Sequence, residues 1–181
     1  MRIRVWDGLV RMLHWTLAGA VTTAWISGHW PPGDFEAVHH TAGYVALAAV
    51  VLRLGWGLVG SRHARLAQFL RGPRAVLAYA RALRAGREPR YVGHNPLGGW
   101  MALALWLCAV AVAATGWLYT TEWLWGYAWL EALHSALGWL IAALVGTHLG
   151  GVVVTSRRHR ENLVGAMFSG RKRAPEGDDV D

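Results

Sequence analysis

The chain has 181 residues, room for one domain, of which 54% are hydrophobic; it carries 12 tryptophans and a formal net charge of +7. With a mean hydropathy of +0.25 it falls outside the composition of an ordinary soluble domain and reads as a membrane protein. The single cysteine, Cys108, excludes an internal disulfide, and the lack of a C-x-x-C-H run excludes covalently attached haem.

In chain order, four apolar runs offer the roughly 20 helical residues that a bilayer crossing needs: 12–30, 41–60, 97–119 and 129–154. The first follows Arg2, Arg4 and Arg11, but it has no small-residue cleavage site and contains His14, so it is read as structure and not as a signal peptide. Between the second and third, residues 61–96 mix Leu, Ala, Phe and Tyr with Arg at spacings of three and four, broken by Gly72-Pro73 and Pro89. This predicts one or two amphipathic helices on the membrane surface. The polar end, 171–181, is expected to be disordered, leaving 1–170 as one transmembrane domain.

Orientation follows from the cations. Of 18 Lys and Arg, three precede the first run, eight lie in 61–96, six follow the fourth and one is Arg53; the loops "GHWPPGDFEAVHH" and "TTEWLWGYAWLEALH" have none. The expected fold is therefore an all-α, up-down bundle of four transmembrane helices with both termini and the 61–96 segment cytoplasmic. The positive charge is accounted for by this topology and by anionic lipid, which removes nucleic acid as a partner. Trp25, Trp30, Trp117, Trp123, Trp125 and Trp129 fall at external span ends, and Trp6, Trp56 and Trp100 at cytoplasmic ones, where interfacial anchors belong.

His134 and His148 stand 14 residues apart in the fourth run, a turn of about 1400° and a climb of about 21 Å, which puts them on one helix face near opposite edges of the membrane. Alternating topology brings His14 to the depth of His148, and His39 and His40 to the depth of His134. Imidazoles buried in hydrocarbon need partners. Two cross-helix pairs, one near each membrane face, match the bis-imidazole ligation of two haems b, whereas two or three histidines per level fall short of a structural zinc site. Arg53, 14 residues beyond His39, needs an anion at mid-membrane, and a haem propionate is the expected partner. Gly19, Gly43, Gly138 and Gly146 are places where a porphyrin could meet backbone, or where helices pack closely.

These stretches resemble the prokaryotic cytochrome b561 and nickel-hydrogenase b-type cytochrome family, related to the membrane subunit of formate dehydrogenase. "RVWDGLVRMLHW" (4–15), "HHTAGYVALAAVVLRLGWGLVG" (39–60) and "GHNPLGGWMALALW" (93–106) carry the resemblance, which covers about 2–170. It implies His14, His39, His134 and His148 as axial haem ligands and selects His39 over His40, which spacing alone leaves open. It also implies a quinone site near a haem, for which His94 and Asn95 are candidates; a helix start capped by Asn95, with Pro96 in its first turn, is the competing reading.

The function so implied is electron transfer across the membrane, through two haems, between quinone or quinol and a dehydrogenase or c-type cytochrome. A stand-alone superoxide:quinone oxidoreductase and a haem-dependent anchor or sensor are the alternatives. Assembly as a homodimer is left open.

Overall fold

The computed structural model describes residues 1–30, 33 and 35–181. Among the described residues it has seven α-helices, α1 (Gly8–Gly28), α2 (Glu36–Val59), α3 (Leu66–Phe69), α4 (Pro73–Arg84), α5 (Pro96–Tyr119), α6 (Ala128–Arg158) and α7 (Leu163–Ser169), and two short strands, β1 (Arg2–Arg4) and β2 (Arg171–Arg173).

Three of the helices, α2, α5 and α6, are long and apolar enough to cross a membrane. The protein is a multi-pass membrane protein by this measure. Its large apolar side chains point outward, with Val51, Leu52, Leu58, Leu107, Trp139, Leu140 and Leu149 all exposed, while alanines such as Ala42, Ala46 and Ala49 are buried. That inversion suits a lipid solvent, in which small residues let helices approach and large ones face the hydrocarbon. The first run, expected at 12–30, lies mostly on α1, whose 21 residues have the required length. Arg11, His14, Thr16, Thr22 and Thr23 dilute its apolar character, and it is not among the three. At 31 residues, α6 is about 46 Å long, more than the roughly 30 Å hydrocarbon thickness.

The chain divides into two compact units, one of Met1–Arg11, Leu54–Leu103 and Thr147–Asp181, the other of Met12–Arg53 and Ala104–Gly146. In the first, Val5, Trp6, Val10, Ala64, Val92 and Ala166 form the core, with Ile3, Trp56 and Met167 against it. Trp6 is thus a core residue, 6% exposed, and not an interfacial anchor. Trp123 and Trp125, by contrast, are 87% and 72% exposed. Asp7 starts α1, accepting from the Val10 amide at 2.8 Å, and ties in the end of α2 by accepting from Trp56 Nε1 at 3.0 Å.

The 61–96 segment forms a 3₁₀ turn (Arg62–Ala64), α3 and α4, in line with the amphipathic helices expected there. On α4 Tyr79 is buried while Arg74, Arg81 and Arg84 are exposed. Pro73 occupies the first turn, where a missing N–H costs nothing.

Residues 171–181, for which composition leads to an expectation of disorder, make contacts with the rest of their unit. β2 pairs antiparallel with β1, Ile3 opposite Lys172, and the chain is turned into it by Gly170, which has φ +75° and lies where a Cβ would come within 2.5 Å of the Trp6 carbonyl. Only glycine fits that turn. The Arg90 guanidinium, its side chain 4% exposed, meets Glu161 at 2.8 Å and Asp179 at 2.5 Å, and Lys172 reaches Glu161 at 3.2 Å. Val180 exchanges backbone bonds with Arg90 and Val92, at 2.8 and 2.9 Å. The tail's acidic residues are thus partners for buried cations of its own unit, which composition alone does not reveal.

Acid should loosen this contact. Burial raises the Glu161 carboxyl, but the hydrogen bond from Arg90 and the Lys172 charge outweigh it and hold the group below its ordinary 4.5. The hydrogen bond from His63 is the main cause that lowers Asp181 below its ordinary 3.8. A depressed carboxylate stabilises the fold fully above its unfolded pKa and loses that contribution as pH falls through the folded value. Opening of the tail, read from exchange of the Val180 and Val92 amides, should therefore be independent of pH near neutrality and increase below about pH 4. Equal protection at pH 6 and pH 3 would contradict this.

Candidate functional site

The second unit contains His39 on α2 and His134 on α6, and their ring centroids are 5.9 Å apart with the planes at 80°. Both side chains are half-buried. His39 Nδ1 lies 2.8 Å from the Ala24 carbonyl of α1. His134 Nδ1 lies 3.1 Å from the Val112 carbonyl of α5 and 3.1 Å from Thr115 Oγ1. A carbonyl can only accept, so in each neutral ring Nδ1 carries the proton and donates, and Nε2 keeps its lone pair.

Two imidazoles with Nδ1 tied to backbone and Nε2 basic form a donor set for a metal, and the outer hydrogen bonds are those that orient metal-bound histidine. A metal–nitrogen bond of about 2 Å on each side would put ring centres about 6 Å apart, close to the observed spacing. Among the described residues no cluster of three or more His, Cys, Asp or Glu is built to hold a bare ion. Two nitrogens with four equatorial positions left to the ligand is instead what an iron porphyrin requires. The residues fit that group.

A model of the prokaryotic cytochrome b561 family matches residues 5–170. The chain belongs to this family. A protein of Rhizobium leguminosarum bv. viciae, described as "Probable Ni/Fe-hydrogenase B-type cytochrome subunit", is 25% identical over 94% of this chain and 88% of its own length. Proteins with the same description from Rhodobacter capsulatus, 26% identical over 94% of this chain and 81% of their own, and from Cupriavidus necator, 25% over 92% and 85%, are similar to it. No solved structure matches it. Membership makes this chain a b-type membrane cytochrome, a haem-binding protein of electron transport.

The cytochrome's other candidate residues stand as follows. His14 is half-buried on α1, its ring edge-on to Trp15 at 5.0 Å. His148 is half-buried on α6. His40, next to His39, has its ring 6.0 Å from that of His39. Arg53 is 5% exposed and its guanidinium stands 5.0 Å from the centre of the Trp106 ring. Spacing gave no hint of Trp106, yet a buried cation over an indole face is worth about 2 kcal/mol or more and supports the arginine at that depth.

The "GHNPLGG" motif has a structural account. Asn95 Oδ1 accepts from the Gly98 amide at 2.7 Å, capping α5 with Pro96 as its first residue. Gly99 lies where a Cβ would come within 2.4 Å of the Phe69 carbonyl, so α3 and α5 could not pack this closely with any side chain there. The His94 ring lies against Phe69 with centroids 4.6 Å apart and against Trp6 at 4.8 Å, the planes tilted at 42° and 59°.

The glycines singled out from sequence, Gly19, Gly43, Gly138 and Gly146, have no heavy atom within 4 Å of where a Cβ would stand. Two others touch the histidines. A Cβ on Gly28 would lie 2.9 Å from His39 Cε1, and one on Gly116 2.9 Å from His134 Cε1. Both lie at a distance in sequence from the histidine they face, so helix periodicity gave no signal for them.

Proposed function

We propose that this chain is a four-span di-haem cytochrome b of the bacterial inner membrane, with both termini cytoplasmic, that passes single electrons between quinol and a redox partner. The observation that carries the reading is the His39 and His134 pair, with both Nδ1 atoms committed to carbonyls and both Nε2 atoms basic. When bound, haem b supplies a one-electron iron couple. His39 and His134 would hold one haem. His14 and His148, which the family resemblance and the 14-residue spacing select, would hold the other. Arg53 would meet a propionate while Trp106 covers its face. The aliphatic surface of the spans keeps water from the ligands, which limits the reorganisation that accompanies each change in charge. His94, whose ring lies against those of Phe69 and Trp6, would be the residue to meet a quinone; Asn95 Oδ1 is already committed as a helix cap.

The relatives' descriptions as hydrogenase cytochrome subunits support a dehydrogenase of that kind as electron donor. The test is the reduced-minus-oxidised spectrum of the purified protein with haem quantitation, followed by addition of a short-chain quinol. Two b haems per chain, both reduced by quinol, are expected. A protein without haem would sink the reading. Haems that quinol leaves oxidised would turn it toward an anchor or sensor, and rapid superoxide-driven reduction without a partner toward the superoxide:quinone reaction.

A further inference from the structure

His39 and His134 are seated in the same manner by two different helices. On α1 the Ala24 carbonyl receives His39 Nδ1 at 2.8 Å, and four residues on, Gly28 leaves room for the ring. On α5 the Val112 carbonyl receives His134 Nδ1 at 3.1 Å, and four residues on stands Gly116. Positions i and i+4 lie one above the other on a helix face, so each imidazole is pinned by a carbonyl at one turn and turns its Cε1–Nδ1 edge toward bare backbone at the next.

The tolerance is narrow. A Cβ on Gly28 would be 2.9 Å from both Cε1 and Nδ1 of His39, and a Cβ on Gly116 would be 2.9 Å from Cε1 and 3.4 Å from Nδ1 of His134. Non-bonded atoms prefer about 3.5–4.0 Å. In each case the obstructed group is the end of a side chain with two rotatable bonds, so the ring yields before the helix does. Turning it moves Nδ1 off its carbonyl and changes the plane of the imidazole.

We infer that the turns Ala24 to Gly28 and Val112 to Gly116 are matched sockets that set the planes of the two histidines, making Gly28 and Gly116 positioning residues for the haem held between them. The inference rests on the reading of His39 and His134 as axial ligands. It adds that ligand-plane angle and ligand basicity, the second fixed by the Nδ1 hydrogen bond, are imposed by α1 and α5, helices that supply neither ligand of this pair. With the planes at 80°, the ferric haem of this pair should give the strongly anisotropic low-spin signal typical of near-perpendicular imidazoles.

The test compares full-length wild type with Gly28→Ala, Gly116→Ala, Thr115→Val and His39→Ala by haem quantitation, electron paramagnetic resonance and redox titration, with circular dichroism to follow helicity. The two glycine variants should shift the low-spin signal and the midpoint potential of one and the same haem, the one that His39→Ala removes, and leave the other haem unchanged. Loss of that haem alone, with helicity intact, would equally support the sockets. An unaltered signal and potential in both variants would overturn them while leaving the ligand reading intact. Retention of every haem in its low-spin form in His39→Ala would overturn the ligand reading itself. Should a glycine variant lose helicity, Thr115→Val decides, because it removes the hydroxyl 3.1 Å from His134 Nδ1 with little change of volume: a shifted potential supports the socket on α5, an unchanged one overturns it.

Discussion

His134→Ala and His39→Ala proteins should each contain one haem fewer than the wild type, and it should be the same haem. The two rings stand 5.9 Å apart on different helices, so on the proposed ligation removing either would leave the iron with one protein ligand in place of two. The change is all-or-none in ligation, a larger effect than any rearrangement around the site: loss of one of two haem equivalents, or its conversion from low to high spin. His14→Ala should remove the other haem. His40→Ala should remove neither, since the ring brought against His134 is that of His39. Absorbance difference spectra with haem quantitation decide this, and a His14→Ala protein lacking the same haem as His134→Ala would refute the pairing.

Much of this was legible in the sequence because lipid imposes simple rules. A polar group in hydrocarbon must have a reason, so His134, Arg53 and the His39–His40 position could be selected by depth and helical spacing, with the family resemblance needed to choose His39 over His40, and their partners sought at matching depth. The same logic placed α2, α5 and α6. It did not reach contacts made between residues far apart in the chain with no periodic signature. Gly28 facing His39, Gly116 facing His134 and Trp106 beneath Arg53 are of this kind: each is an ordinary small or aromatic residue on an apolar helix until the fold sets it beside its partner. The contacts of 171–181 escape a reading of composition for a related reason. Composition counts Lys172, Asp179 and Asp181 as solvated charge, whereas their partners Glu161, Arg90 and His63 stand in other elements of the same unit.

That tail supplies the second large expected effect. In Arg90→Met the guanidinium is lost from a site where its side chain is 4% exposed, between Glu161 and Asp179 at 9% and 10%. Removing one partner of a buried ion pair leaves uncompensated charge, at a cost of about 3–5 kcal/mol. Glu161 keeps Lys172 at 3.2 Å, so the lower end applies, and Asp179 carries most of the loss. Arg90 Nη2 also donates to the Arg173 carbonyl at 2.7 Å, which couples the substitution to β2 and through it to β1. Amides of Arg171, Arg173 and Val180 should therefore exchange on the order of a hundredfold faster, the kinetic equivalent of about 3 kcal/mol of local opening. Arg62→Met is the contrast: its pair with Asp181 is as short, 2.8 Å, but its side chain is 63% exposed, and such surface pairs are worth at most about 1 kcal/mol. If both variants left exchange alike, the burial of Arg90 would not be what holds the tail. If only Arg90→Met released it, the end of the chain would be fastened by charge buried in its own unit, independently of the histidines proposed as haem ligands.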